Sequence, residues 1–530
     1  MKISGVLAMI LAGLSSSATA QHAGHQLGTI SFPTSCNAEA SQSFSIGAAW
    51  LHSFEYEEAE GAFRAAVAAD PTCAIAYWGV TMSNNHPLWA PPSVAELAKG
   101  SVAIEQARRI GARTSRERDY IEAIAPFYET AGTLDHSART YAYADAMKRL
   151  HLTYPDDVEA AVFYALALIA AGTMDTDANY GREKEAAAIL NRVLVRHPNH
   201  PGVAHYLIHG YDFPQLAHLA LPAARTYAGI APASAHAQHM PSHIFTRLGL
   251  WEESVRSNLA AEAAAKAYAT AHSLPGAWDE QLHAIDYLAY AYLQLGDEDK
   301  ARVVLDRLAA IHQIDPPNFK VAFTLTAVPA RYVLERRDWK GAVALQLLPA
   351  SRNAVAWEKF GWALANIHFA RAVGAARLGI VNQARLEIAR LEEIRQRLPV
   401  RKGEYDWGTQ VEIQRQVASA WLAFAEGKQS DAVGLMRQAA ALDEATEKHP
   451  VTPGAILPAR EQLGELLLAV GKPAEALSAF EASLLRAPGR LNSILGAARA
   501  ARLSGNLAKA RLWEGRIPRL NISHGRKRLP

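Results

Sequence analysis

Histidines are concentrated in one stretch of the chain, residues 197–283. This stretch holds ten of the twenty histidines, although it is under a fifth of the 530 residues. Within it, His205 and His209 are four residues apart, and so are His239 and His243. Side chains three or four positions apart lie on one face of a helix, so each pair could hold a metal ion between adjacent turns. The spacing therefore predicts a metal site carried by helices.

Two shorter spacings extend this candidate site. His236 lies three residues before His239, and His283 lies three residues before Asp286. Imidazole and carboxylate ligands with no thiolate nearby suit Zn(II), Cu(II) and non-haem Fe(II), so the cofactor is predicted to be a divalent transition metal. The predicted ligands exceed the three or four of one catalytic zinc, so two neighbouring ions and one ion with an outer set of ligands both stay open. The predicted metal ligands are His205, His209, His236, His239, His243, His283 and Asp286.

Pro241 lies between His239 and His243. Inside a continuous helix it would remove a hydrogen bond and clash with the carbonyl group of Ala237. A local rule broken beside a ligand cluster is expected where function constrains the backbone. The alternative is that a helix begins at Pro241, in which case His236 and His239 lie on the preceding loop.

The elements that carry these residues are predicted to be helices. Beyond residue 40 the chain is rich in Ala, Leu, Glu and Arg, with almost no β-branched alternation. A small residue, an aromatic residue and a proline recur at fixed offsets, and Ala510 lies 34 residues beyond Ala476. A period of 34 with this pattern is the signature of tetratricopeptide repeats. The recurring triplets are Ala59, Phe63 and Pro71, and then Ala476, Phe480 and Pro488.

The chain resembles the tetratricopeptide-repeat family, most strongly over residues 44–90 and 456–515. The resemblance implies an all-α fold, a right-handed α-solenoid of antiparallel helix hairpins whose stacking makes one continuous core. It also implies that the first helix of each hairpin lines a concave groove. In the repeat register the predicted ligands fall on three adjacent first helices, at positions that face this groove.

The same register supplies candidates for outer ligands and substrate contacts. Asp212 and His86 are predicted either to bind the metal or to orient a ligating imidazole. Arg331, Arg460 and Glu461 could bind an anionic substrate group or a partner's carboxylate, and a surface ion pair with a capping segment is the alternative. Nine other histidines, among them His52 and His200, are predicted to be hydrogen-bonded or exposed side chains.

The N-terminus reads as a secretory signal. Lys2 is followed by an apolar run and then by Ala18-Thr19-Ala20, which predicts cleavage after Ala20 and export to the periplasm or the exterior. The apolar run is too short to span a bilayer, and no second long run occurs, so no membrane span is expected in the mature chain.

Cys36 and Cys73 are the only two cysteines. In an exported chain a disulfide between them is favoured over free thiols.

The chain is expected to form one superhelix rather than separate globular domains. Its formal net charge is +2 with both signs interspersed, so no nucleic-acid partner is indicated. The predicted segments are a signal peptide (1–20), an extended and loosely ordered segment (21–40), an N-terminal solenoid with the His-rich groove (41–312), central divergent repeats (313–445), C-terminal repeats (446–518) and a basic tail (519–530).

Two classes of function follow from these residues. In the first, the protein is an exported metal-dependent enzyme, a hydrolase or an oxidase, that holds a small molecule or a peptide in its groove. In the second, it is a partner-binding scaffold without catalytic activity, or a metal carrier. A fold does not choose between these classes, so whether the protein is an enzyme stays open at this stage.

Overall fold

The computed structural model describes residues 26–88, 90–174, 177, 179–348, 353–400 and 404–517. The predicted signal peptide and basic tail lie outside these residues. Two short parallel strands, β1 (Ala277–Trp278) and β2 (Ile314–Asp315), pair with each other. The helices, numbered α1 to α25 in chain order, are Ala38–His52, Tyr56–Ala69, Ala74–Met82, Val94–Ile110, Ser115–Glu129, His136–Thr153, Val158–Gly172, Gly181–Arg196, Pro201–Gly210, Leu221–Ile230, Ala235–His239, Pro241–Arg247, Trp251–Ala271, Asp279–Leu295, Glu298–Ala309, Phe319–Glu335, Trp339–Val343, Gly361–Arg377, Val381–Arg397, Trp407–Ala425, Gln429–Glu444, Ala459–Ala469, Pro473–Arg486, Leu491–Leu503 and Leu507–Glu514.

These helices form an all-α solenoid, as predicted. Successive helices pack as antiparallel hairpins, and the first helices of neighbouring hairpins also contact each other, for example α14, α16, α18 and α20. The first helices are buried almost all round, as in α14, whereas α15 buries only the stripe Ala301, Val304 and Leu308. A helix buried on one stripe belongs to the outer layer of a solenoid, so the inner layer is made of first helices.

The repeat pattern has a direct packing cause. The ring of Phe63 on α2 lies against Gly47 and Gly79, where an added Cβ would come within 2.9 and 2.2 Å of ring atoms. Phe480 on α23 lies in the same way against Gly496, where a Cβ would come within 2.3 Å. In these two units the aromatic residue thus needs glycine on the neighbouring first helix, because a side chain there would overlap the ring.

The solenoid returns on itself twice. Helix α1 packs against α9, and α14 packs against α24, although each pair is far apart in sequence. The two largest buried clusters follow this division, the first spanning residues 27–245 and the second residues 282–513. The histidine-bearing helices α9, α11, α12 and α14 lie where these two cores meet.

The N-terminal segment before α1 is extended and packed rather than loosely ordered. Over residues 26–37 it lacks helix, and Leu27 and Phe32 are buried in the first core. Cys36 and Cys73 form a disulfide, with their Cα atoms 5.1 Å apart. No helix in the described part of the chain is both long enough and apolar enough to cross a bilayer.

Residues 249–251 and 488–490 form the junction between the two halves. Gly249 has a φ of +70°, and a Cβ there would lie 2.3 Å from the carbonyl oxygen of Pro488. The indole Nε1 of Trp251 donates to the carbonyl oxygen of Gly489 at 2.9 Å. These two contacts hold the C-terminal repeats against the hairpin that carries His239 and His243.

Candidate metal centre

Four helices bring six of the predicted ligands together. Helix α9 carries His205 and His209, and α14 carries His283. The short helix α11 carries His236 and His239, and α12 carries His243. The structure groups these side chains into two sets of three, and within each set the nitrogens that could bind an ion lie within 4.8 Å of one another.

The first triad is His205, His209 and His236. The Nε2 atoms of His205 and His209 are 3.1 Å apart. The rings of His205 and His236 lie with their centroids 5.0 Å apart. His205 and His236 are buried, and His209 is half-buried, so this set has one side nearer to solvent.

The second triad is His239, His243 and His283, and all three rings are buried. The Nε2 atoms of His239 and His243 are 3.1 Å apart, and the ring of His283 lies 4.2 Å from that of His239. The two triads are neighbours. The ring centroids of His209 and His243 are 6.4 Å apart, which brings both sets into one centre of six imidazoles.

Pro241 is the first residue of α12, so a helix begins there, as one of the two alternatives proposed. His236 and His239 nevertheless lie on a helix, because α11 spans Ala235–His239 and its first turn is capped by the Ser234 hydroxyl, which accepts from the Ala237 N–H at 2.9 Å. Proline is favoured in the first turn of a helix, where its missing N–H costs nothing. Met240, between α11 and α12, keeps a helical backbone (φ −53°, ψ −37°), so the spacing of four still places His239 and His243 facing each other.

The outward nitrogens of three of these rings are held by acceptors. His205 Nδ1 donates to the carbonyl oxygen of His52 at 2.7 Å. His239 Nδ1 donates to Asn258 Oδ1 at 2.6 Å, and the amide is oriented because its Nδ2 donates to the Ser254 carbonyl oxygen. A carbonyl oxygen can only accept, so each ring carries its proton on Nδ1 and presents a lone pair at Nε2. This is the tautomer that a metal-binding imidazole needs.

His243 is oriented in the same way by Asp212. Its Nδ1 lies 3.0 Å from Asp212 Oδ2. Burial alone would raise the pKa of Asp212, but Lys448, Arg247 and His243 outweigh it and hold that pKa well below its usual value. Asp212 is therefore an ionised carboxylate behind His243, the outer role that the sequence left open for it.

Burial makes the six imidazoles neutral at ordinary pH. It lowers the pKa of His209 and of His239 to about 4 and that of His243 to about 3. The pKa values of the other three rings are also lowered, chiefly by burial. His239 and His243 therefore turn two lone pairs towards each other across 3.1 Å with no proton between them. Such an arrangement is repulsive unless a cation lies between the nitrogens.

Asp286 is not part of either triad. Its carboxylate forms a buried ion pair with Arg331, and burial raises its pKa to about 6 although Arg331 opposes the shift. The spacing from His283 was a correct indication of one helix face, but the side chain turns to Arg331 on α16. Arg331 in turn donates to Thr452 Oγ1 at 2.8 Å, so it anchors a loop rather than facing an open groove.

The other candidates have structural partners. His86 stacks on Tyr56 and lies 3.8 Å from Glu96, outside both triads. Arg460 pairs with Glu444, its Nε donating at 2.7 Å, as the ion-pair alternative predicted. Glu461 is fully buried and accepts from Arg490 Nε at 2.9 Å, so it does not line an open groove.

A third buried group was not predicted from the sequence. His52 Nε2 lies 2.8 Å from Glu159 Oε2, and His200 Nε2 lies 3.3 Å from Glu159 Oε1. The other nitrogen of His52 contacts the Tyr206 hydroxyl at 2.9 Å, and that of His200 accepts from the Val203 N–H. Hydrogen bonds therefore satisfy both rings. These residues are far apart in sequence, so no spacing could have revealed them.

Tyr287 was also missed. It lies one turn after His283 on α14, and its hydroxyl oxygen is 3.3 Å from His243 Nε2. The spacing of four from His283 was the available signal. Burial raises the pKa of Tyr287 well above 10, so the phenol keeps its proton when no cation is near.

The loop between α21 and α22, residues 445–458, covers the second triad from the C-terminal half. Lys448 Nζ reaches Asp212 Oδ2 at 3.2 Å, and the Tyr287 hydroxyl lies 3.3 Å from the carbonyl oxygen of Thr452. Residues of this loop also line a cavity with aromatic and charged walls. Its lining includes Arg247, Phe323, Trp362, Tyr405, Trp407, Lys448 and Thr452.

Comparisons with known proteins add little to this picture. No protein-family model matches the chain, and the search of curated proteins found no relative. Among solved structures, yeast Tom70 is 14% identical over 91% of this chain and 99% of its own, with a TM-score of 0.36. The P58(IPK) TPR domain is 12% identical over 89% of this chain and 99% of its own, with a TM-score of 0.23. A human IFIT1 dimer with m7Gppp-AAAA is 12% identical over 85% and 90%, with a TM-score of 0.37. Likeness at this level carries no inference about function.

Proposed function

We propose that this protein is a metalloprotein that binds two transition-metal ions, one in each histidine triad. The observation that carries the proposal is the pair of Nε2 lone pairs on His239 and His243, 3.1 Å apart and buried. Asn258 and Asp212 keep the proton of each ring on Nδ1, so a change of tautomer cannot relieve the repulsion between the two Nε2 lone pairs. A cation between the two nitrogens removes it.

The spacing of the nitrogens suits such an ion. Two ligands of a tetrahedral ion with bonds of ~2.0–2.1 Å lie about 3.3 Å apart. The Nε2 pairs of both triads, at 3.1 Å, are close to that separation. In the first triad, three imidazoles leave the fourth position of a tetrahedral ion open, as in a catalytic rather than a closed structural site.

We propose copper as the metal and oxidation as the chemistry. The triads contain imidazoles only, and the nearby Glu55 has its pKa raised to about 8 by burial, so it supplies little negative charge near neutral pH. Two Zn(II) ions would bring four positive charges to a site where Arg247 and Lys448 already offset the charge of the Asp212 carboxylate, whereas copper can be held as Cu(I), with half that charge. Bound copper would supply one-electron redox chemistry. Hydrolysis by zinc is the second reading, and the metal that co-purifies decides between them.

The substrate is proposed to be a small molecule or a short peptide that enters the cavity lined by the 445–458 loop. The aromatic wall of Phe323, Trp362 and Trp407 offers apolar contact, and Arg247 and Lys448 connect this cavity to Asp212. Ligand sites commonly combine an apolar wall with a few placed polar groups.

The burial of the ligands argues against a metal carrier. Five of the six rings are buried, whereas a carrier that exchanges metal rapidly needs accessible ligands. We also propose that the chain is exported. The disulfide between Cys36 and Cys73 supports export, because disulfides persist in oxidising compartments.

Elemental analysis tests this function. The protein is expressed from its full-length sequence and processed in its own host. We expect two metal equivalents per chain, mainly copper. His205→Ala/His209→Ala and His239→Ala/His243→Ala should each lose one equivalent, because each pair belongs to a different triad. A protein that binds no metal after reconstitution would contradict the proposal and leave a partner-binding solenoid without a cofactor. His272→Ala, at an exposed histidine of the same stretch, is the control that should keep both equivalents.

A further inference from the structure

We infer that Tyr287 supplies the fourth ligand to the ion of the second triad, through its phenolate oxygen. The inference rests on the proposed function, because it names a ligand of the same centre. It adds an oxygen donor to a site whose other donors are three imidazoles.

Tyr287 is placed for this role by its helix. It follows His283 by four residues on α14, so the two side chains lie on one face. Its ring centroid is 4.7 Å from that of His239, 5.2 Å from that of His243 and 5.5 Å from that of His283. The Tyr287 residue is only 1% exposed, so its whole side chain lies in the interior beside the triad.

The Tyr287 hydroxyl oxygen lies about as far from His243 Nε2 as two ligands of one metal ion lie from each other. It lies 3.3 Å from His243 Nε2, and two donors of one tetrahedral ion are about 3.3 Å apart. One ion can therefore reach both atoms without a shift of the backbone.

No strong hydrogen bond commits the hydroxyl elsewhere. Its other polar neighbours are the carbonyl oxygens of Pro450 at 3.4 Å and Thr452 at 3.3 Å. Hydroxyl donors normally approach an oxygen to ~2.7–2.8 Å, so both contacts are long. A buried phenol that is held loosely by three acceptors can give its proton up when a cation arrives, and the proton passes to solvent while the oxygen binds the ion.

Copper(II) loading of the purified full-length protein tests this inference. Phenolate bound to Cu(II) gives a visible charge-transfer absorption that imidazole ligands alone do not give. We expect this band in the wild-type protein, and we expect Tyr287→Phe to lose it while both copper equivalents remain bound. In competition with a chelator, one of the two ions should leave Tyr287→Phe at a chelator concentration at least ~10-fold lower than in the wild type.

Tyr290→Phe is the matched control, because Tyr290 lies on the same helix but accepts from Arg490 at 3.0 Å. It should keep the band and the chelator resistance. Two bound copper ions without the band in the wild-type protein would overturn the inference and leave the proposed function standing. Failure of the wild type to bind copper would overturn both. The absence of the band in the wild-type protein would overturn the inference even if Tyr287→Phe does not fold.

Discussion

The tautomers of the individual imidazoles decide which of their nitrogens can bind an ion in the candidate metal centre. His205, His239 and His243 each donate from Nδ1 to an oxygen, so their Nε2 lone pairs converge. The spacing of the histidines predicted which rings would meet. Their tautomers could not be predicted, because Asn258 and the His52 carbonyl group lie on other helices. Sequence spacing could not predict the partner of Asp286, because that partner, Arg331, is 45 residues away.

Asp212 should matter to metal binding although it touches no ion site directly. Asp212→Asn removes the charged acceptor that fixes the His243 tautomer, and loss of such a partner typically costs 10–100-fold in metal affinity. Isothermal titration with copper checks this expectation. Asp306→Asn, at an exposed ion pair on α15, is the control and should bind as the wild type does. Equal affinities for both variants would mean that Asp212 does not orient a ligand.

The metal-free protein should lose stability as the pH falls. Folding lowers the pKa of His209 and His239 from 6.5 to about 4, so the unfolded chain binds more protons between these values. The stabilisation is complete above about pH 6.5 and is lost as the pH falls towards 4, at up to ~1.4 kcal/mol per pH unit for each ring.

Urea denaturation of the metal-free protein at pH 7.5 and pH 5 measures this loss. The double variant His239→Gln/His243→Gln should show a shallower dependence on pH, because two of the buried rings are absent. A free energy of unfolding that is the same at both pH values in the wild type would show that these rings are not buried as neutral groups.

Element-level packing explains why the repeat pattern was so informative. Each aromatic residue of the recurring triplet fills a space left by glycine on the next first helix, as Phe480 does at Gly496. The fold class could therefore be predicted from the period alone. The break at Pro241 was harder, because the sequence did not reveal that a separate short helix, α11, precedes it.

Gly496→Ala should destabilise the protein, because its Cβ would come within 2.3 Å of the Phe480 ring. Overpacking of this kind costs ~1–3 kcal/mol in the free energy of unfolding. Gly434→Ala on α21 is the matched control, since an added Cβ there meets no atom within 4 Å. Replacing glycine in a helix interior should stabilise that variant by up to ~1 kcal/mol. Thermal denaturation should show a lower melting temperature for Gly496→Ala and a higher one for Gly434→Ala.

At the scale of the whole molecule, the C-terminal repeats return to the histidine-bearing hairpins. Arg490 is fully buried, with Nη2 2.8 Å from both Glu335 and Glu461, and its Nη1 donates to Tyr290 on α14. The sequence predicted a solenoid, but not this closure. Contacts between residues some 200 positions apart leave no periodic signal, and Arg490 stands in an ordinary turn between repeats.

Arg490→Ala should be severely destabilising, because it leaves two buried carboxylates without their cation. Breaking a buried ion pair in this way costs ~3–5 kcal/mol. Urea denaturation monitored by circular dichroism measures the effect. Arg502→Ala, at an exposed pair with Glu514, should change the free energy of unfolding by less than ~0.5 kcal/mol. A mild effect at position 490 would show that the junction does not hold the halves together.

The number and position of bound ions test the account most directly. An anomalous-difference map, recorded at the metal's absorption edge from crystals of the metal-loaded protein, shows both. We predict two peaks, one among His205, His209 and His236 and one among His239, His243 and His283. A map without a peak in either triad, or with its only peak at His52, Glu159 and His200, would contradict the proposed centre.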